Sequence, residues 1–155
     1  ATHAFLKTQF KERRVEKIYD VLVVGNVADD YGTITFPIAR STTRARMAAR
    51  PLSQEGKEAI THYDVVKRFT TSTLLRVRIE TGRTHQIRAH MFAIGYPVVG
   101  DPLYQHKKRK SPPSPRLFLH AASLTLTLPS GEKRTFEAPL PADLYHFLAT
   151  LKAKV

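Results

Sequence analysis

Two arginines, two histidines and a glutamine crowd around one glycine in the run Thr81-Gly82-Arg83-Thr84-His85-Gln86-Ile87-Arg88-Ala89-His90. Such a density of hydrogen-bonding and charged groups is the composition of a site rather than of a core. Upstream, Leu74 to Glu80 alternates in the manner of a strand; downstream, Ile87, Met91 and Ile94 recur at helical spacing, so Gly82 marks the change of period. The helix is expected over Thr84 to Ile94, with Thr84 as its cap. Arg88 then falls at the edge of the apolar stripe, with Met91 and Phe92 three and four residues on, and its guanidinium is drawn out of water. An unpaired charge in that position costs on the order of several kcal/mol, so Arg88 calls for a carboxylate or phosphate opposite it. Arg83, His85 and Gln86, at the entry to the helix, are candidates for holding a phosphate or lining a ligand pocket, against the plainer reading of local capping. His90 is placed on the polar side of the helix as a structural hydrogen-bonding residue, and Asp101 is read as a turn-stabilising residue or one that bonds back to the same helix.

The elements that must position these residues follow from the rest of the pattern. An opening helix spans Thr2 to Arg13 with Ala4, Phe5, Leu6 and Phe10 apolar, and Lys17 to Val24 is a strand buried on both faces. Thr33 to Ile38, Ile60 to Thr70 and Ser72 to Glu80 are further strands, and Leu117 to Leu128 with Lys133 to Ala138 form a hairpin turning at Pro129-Ser130-Gly131. A last helix covers Ala142 to Lys152. The result is one domain over residues 1–155, of α+β class, with a mixed, mostly antiparallel sheet and flanking helices.

With 155 residues and 42% hydrophobic content the chain supports a single core. Its 25 Lys+Arg against 13 Asp+Glu, a formal charge of +12, favour a polyanionic partner, with nucleic acid ahead of a membrane. No apolar run reaches the roughly 20 residues that span a bilayer. The chain has no cysteine, which removes disulfides, thiol catalysis and cysteine-ligated zinc. Two basic stretches are candidates for tracking phosphates: Arg40, Arg44, Arg46 and Arg50, and Lys107-Lys108-Arg109-Lys110. Tyr31, Tyr96 and Phe118 are available as stacking aromatics, and none is assigned a base. A generic DNA-binding domain ranks last, because the chain has neither a helix-turn-helix nor a zinc-ligand signature.

Residues 80–104, reading ETGRTHQIRAHMFAIGYPVVGDPLY, closely resemble the signature segment of the RluA-type pseudouridine synthases. The resemblance extends to Gln9-Phe10-Lys11-Glu12-Arg13, Lys17-Ile18-Tyr19 with Val24-Gly25, Ala59 to Tyr63, Leu119-His120-Ala121 and Ala138-Pro139-Leu140-Pro141, so it covers essentially the whole chain. It implies the pseudouridine synthase catalytic fold, incomplete at its amino-terminal side, and an isomerase of RNA, acting on large-subunit ribosomal RNA in the cytoplasm. It also implies roles: Arg88 matches the arginine that pairs with the catalytic aspartate, and Tyr19 matches the tyrosine that packs against the target base and accepts a proton late in the reaction. The family's aspartate lies in a His-Arg-Leu-Asp segment upstream of that tyrosine, and none of Asp20, Asp29, Asp30, Asp64, Asp101 and Asp143 stands in such a context. The carboxylate facing Arg88 is therefore expected from outside residues 1–155, and the chain alone is expected to be inactive. Converting uridine to its carbon-linked isomer gains and loses nothing, so no cofactor or metal is expected. The alternative reading is a non-catalytic RNA-binding or ribosome-assembly protein on the same scaffold.

Overall fold

A computed structural model describes residues 1–52 and 54–155. The chain runs α1 (Thr2–Lys11), β1 (Glu16–Val24), β2 (Tyr31–Ile34), β3 (Ile38–Arg40), β4 (Met47–Ala49), β5 (Thr61–Arg68), β6 (Ser72–Ile79), α2 (Gln86–Ala93), β7 (Leu119–Thr127), β8 (Lys133–Glu137) and α3 (Ala142–Ala149). Six strands form one sheet in the order β2-β5-β6-β1-β7-β8, and β3 with β4 makes a separate two-stranded hairpin. Every described strand pairing is antiparallel.

The period of two along β1 assigns its side chains to two layers. Val21 and Val23, with Tyr63, Leu75 and Val77 from neighbouring strands, meet Ile87 and Met91 of α2 on one face. Leu22 and Val24 meet Phe69, Phe118 and Leu144 of α3 on the other. Strand β1 is fully buried only over Val21 to Val24; its first half is partly exposed. Pairing Tyr19 with Val77, and Val77 with Tyr63, sets these three side chains in one row across the sheet. That row lies on the face that α2 covers.

Several sequence expectations are corrected. The expected strand Thr33 to Ile38 is split, because Pro37 has no N–H to give a ladder, and Ile38 opens a separate hairpin instead. That hairpin, β3 to β4, lies inside the stretch read only as basic; its strands are three residues long and carry no alternation to detect. Its loop is built by Ser41, whose hydroxyl accepts from the N–H groups of Thr43 and Arg44. Helix α1 does not bury its apolar residues: Phe5 and Phe10 are exposed, and the one buried residue is Gln9. The Gln9 carboxamide bonds both peptide groups of Thr127, as a neighbouring strand would, and so docks the helix against the end of β7.

Candidate active site and nucleic-acid interface

Helix α2 begins at Gln86, two residues later than expected, and Thr84 is not its cap. His85 occupies that position with a left-handed backbone, φ 55°, a conformation unusual outside glycine and asparagine. The turn is held from within by Gln86, whose Oε1 accepts from the Thr81 hydroxyl at 2.6 Å and the Arg83 N–H at 3.1 Å. Its Nε2 donates to the Ile60 carbonyl and the Thr61 hydroxyl, both at 3.0 Å. Gln86 is buried and its hydrogen-bonding capacity is spent, so it is a bracket for the loop rather than a substrate ligand.

His90 is likewise buried, not on a polar face, because α2 is embedded over most of its circumference. Its Nε2–H donates to the Phe36 carbonyl at 2.7 Å, which leaves Nδ1 to accept from the Thr61 hydroxyl at 2.8 Å. Burial pushes its pKa below the ordinary histidine value, and the ring is a neutral structural tie between α2, β5 and the segment after β2.

Arg88 finds its anion inside the chain. Its Nε and Nη2 each donate at 2.8 Å to the two oxygens of Asp101, a bidentate pair in which the arginine side chain is 13% exposed and the aspartate fully buried. The expectation of a carboxylate opposite Arg88 is met, but the expectation that residues 1–155 do not supply it is overturned. Asp101 Oδ1 also accepts from the N–H groups of Leu103 and Tyr104, the turn contact read from the sequence. Burial alone would raise the Asp101 pKa, yet the bonds from Arg88 and the two amides outweigh it and hold the carboxyl below its ordinary range. The bond to Asp101 in turn raises the arginine. The sealed, four-times-bonded Asp101 carboxylate has no access to a ribose or a base; it orients Arg88. The Nη1 group of Arg88 has no partner among the described residues and is not sealed from solvent, so one edge of the guanidinium stays open.

Tyr104 is the residue the sequence reading passed over, although it closes the quoted signature run. Its ring is buried and carries a guanidinium on each of two approaches, Arg46 at 5.0 Å and Arg88 at 5.1 Å from the centroid. Its hydroxyl accepts from the Met47 N–H and donates to His85 Nδ1, both at 3.0 Å. Burial, with the Arg88 charge adding to it, lowers the His85 pKa and keeps that ring neutral. Arg46 also donates to the Leu103 carbonyl at 2.8 Å and lies over Phe92, so it fastens the β3–β4 hairpin onto α2 instead of projecting to a ligand.

The two basic stretches converge. A cleft of about 480 Å³ is lined by Arg44 from the hairpin loop and by Lys107, Arg109 and Lys110, with Asp101 and Tyr104 beneath. Lys108 is not part of that lining. A second cleft, about 580 Å³, lies against the hairpin and takes Arg40, Lys57 and Arg83. Arg83 Nε donates to the Glu58 carbonyl at 2.7 Å, leaving its outer nitrogens free of protein partners among the described residues. Of the three aromatics considered for stacking, Phe118 is buried and Tyr96 is covered by the Arg109 guanidinium at 4.6 Å; Tyr31 is exposed.

Tyr19 lies half-buried on the same sheet face as α2 and opens on a mainly apolar cavity of about 440 Å³ between α1, β7 and β8. Burial raises its pKa, so the hydroxyl carries its proton at neutral pH. Tyr19 and Arg88 thus share a layer, Tyr19 packing with the cluster that holds Ile87 and Arg88 lying behind the cleft residues Asp101 and Tyr104. The structure does not place both in one cavity.

The α+β architecture, an antiparallel sheet with the bracketed loop and α2 packed on one face, is shared with solved RNA pseudouridylate synthase domain structures. Residues 1–93 match the family described as RNA pseudouridylate synthase, and the chain belongs to that family. It is 47% identical over 149 residues to an uncharacterised RNA pseudouridine synthase of Chloroflexus aurantiacus, covering 95% of this chain and 46% of that protein. It is 41% identical to the ribosomal large subunit pseudouridine synthase D of Pseudomonas aeruginosa, covering 97% of this chain and 50% of the other. The chain spans about half the length of these relatives. Human RNA pseudouridylate synthase domain containing 1 superposes with a TM-score of 0.77 at 26% identity, over 96% of this chain and 71% of that one.

Proposed function

We propose that this chain forms the larger part of the catalytic domain of an RNA pseudouridine synthase acting on large-subunit ribosomal RNA in the cytoplasm. Family membership, the relatives' printed names and the basic clefts support that reading. The observation that carries it at the site is the half-used guanidinium: Asp101 fixes Arg88 by two of its five N–H donors and leaves the Nη1 edge for a second anion. In the proposed centre that second anion is an aspartate contributed from outside residues 1–155, kept ionised by Arg88 despite burial. Tyr19, half-buried and protonated, presents an aromatic face to the uracil and a hydroxyl positioned for proton transfer at the carbon that becomes bonded to the ribose. Because burial raises the Tyr19 pKa, the hydroxyl starts protonated, so as it takes the proton from uracil C5 it gives its own to N1, the atom freed when the bond to the ribose breaks, and the isomerisation neither gains nor loses a proton. Lys107, Arg109, Arg44, Arg40 and Arg83 neutralise phosphates along the strand.

Pseudouridine formation on large-subunit RNA transcripts tests this. The 155-residue chain alone is expected to give none, and the chain extended upstream by a relative's His-Arg-Leu-Asp-bearing segment is expected to turn over. Turnover by the bare chain, or none by an extended chain that folds and binds the transcript, would overturn the assignment of roles.

A further inference from the structure

Helix α1 ends in a Schellman turn: the Arg13 N–H bonds the Phe10 carbonyl and the Arg14 N–H bonds the Gln9 carbonyl. The residue that such a turn needs in the left-handed conformation is ordinarily glycine, yet here it is Arg13, with φ 58°. A cationic side chain is thus kept where the backbone disfavours any side chain. Arg13 is not alone. A small polar cavity of about 170 Å³ is lined by Lys11, Arg13, Lys17 and Arg83, with Glu80 the one acid in the lining. Glu58 holds the two arginines side by side, its carboxylate accepting from Arg13 Nη2 at 2.7 Å and its carbonyl from Arg83 Nε at 2.7 Å. The Glu80 carboxylate is engaged by His62.

Lys17 is the inner wall. It has no ion pair or side-chain hydrogen bond among the described residues, and burial lowers its pKa. Its Nζ lies 3.3 Å from where a Cβ on Gly82 would stand, so the bare glycine leaves the ammonium room at the loop. A half-buried ammonium without a partner, two arginines fixed by a common residue and an exposed lysine make a pocket built for a small oxyanion whose several oxygens each accept a donor. It is separate from the two clefts that flank the β3–β4 hairpin, although Arg83 borders both this cavity and the second cleft. Lys17 also borders the cavity on which Tyr19 opens. Two residues along a strand is about 7 Å, so an anion at Lys17 lies next to whatever packs on Tyr19.

We propose that Lys11, Arg13, Lys17 and Arg83 form a phosphodiester site that grips the RNA backbone beside the nucleotide at Tyr19. This rests on the RNA-modifying reading above and adds to it a backbone contact on the α1 side of the sheet, where the sequence pointed to no site.

Fluorescence anisotropy of a labelled oligouridylate across a salt series tests the site, using the chain, Arg13→Gly, Lys17→Gln, and Lys107→Gln with Arg109→Gln as the cleft comparison. Each phosphate contact on a single strand contributes a slope of about 0.7 in the log–log plot, so Arg13→Gly and Lys17→Gln are each expected to flatten it by about that amount. Arg13→Gly should do so with a melting temperature no lower than the parent's, because glycine is at ease in that turn. Unchanged slopes for Arg13→Gly and Lys17→Gln, with a flatter slope for the cleft variant, would overturn this site and leave the RNA reading standing. Salt-independent association of the parent chain would overturn both.

Discussion

Replacing Asp101 by asparagine isolates the contact on which the site geometry depends. The substitution keeps one oxygen to accept from the Leu103 and Tyr104 amides, but it turns an N–H₂ or a neutral carbonyl toward a guanidinium that is 13% exposed. Removing one partner of a buried pair costs about 3–5 kcal/mol, chiefly for the stranded charge. Against a typical total of about 5–15 kcal/mol for a folded domain, that is a large share. With a urea slope of roughly 2 kcal/mol per molar, the unfolding midpoint should fall by about 1.5–2.5 M. Adding Arg88→Met to Asp101→Asn should restore part of the loss, since the uncompensated charge goes with the arginine. The pH dependence has a definite sign. Asp101 is held below its ordinary value of 3.8, so its contribution is complete above that pH and disappears as the pH falls through the lower folded value. The asparagine variant should therefore show a shallower acid limb than the parent. A midpoint change equivalent to less than about 0.5 kcal/mol, or a double variant that is simply additive, would refute the account of Arg88 as an arginine held by a buried carboxylate.

Further outcomes follow from the same geometry. Tyr19→Phe should leave the fold intact, because the hydroxyl has no partner among the described hydrogen bonds, while abolishing turnover in an extended, active protein; retained turnover would remove the hydroxyl from the mechanism. His90 has a lowered pKa, so it favours folding above 6.5 and loses that contribution as pH falls, and its ring signals in NMR should titrate below those of an exposed histidine. Gly100→Ala should cost more than about 1–2 kcal/mol by chemical denaturation, since φ is 79° and a Cβ would come within 2.4 Å of the Arg116 carbonyl oxygen.

How much of this was legible in the sequence varies with the kind of signal. The long strands β1, β5 and β6, the final hairpin and α3 announce themselves by period and by turn residues, and the signature run identifies the family. The β3–β4 hairpin does not, because three-residue strands carry no period and its register comes from Ser41 and from Tyr104 and Arg46 across the chain. The apolar residues of α1 pointed to a buried helix face, but the anchoring is done by the Gln9 amide, which no hydrophobic pattern reports. Arg88 is legible as a charge needing an anion, and Asp101 as a residue that can hold its turn or bond back to the helix. That Arg88 is the residue it bonds on that helix is not legible, since the pairing depends on the glycine turn at Gly100 that carries Asp101 back to α2. Gln86 and His90 were read as site and surface because a helix with polar residues on several sides resembles a solvated one; here those polar groups satisfy one another inside the core.

The most direct test of the central claim is the structure of the chain extended by a His-Arg-Leu-Asp-bearing segment. The account predicts Arg88 bridging two carboxylates, with Asp101 still on Nε and Nη2 and the added aspartate on the Nη1 edge, close enough to Tyr19 for one uridine to touch both. An added aspartate lying away from Arg88, with the Nη1 edge still open to water, would contradict it.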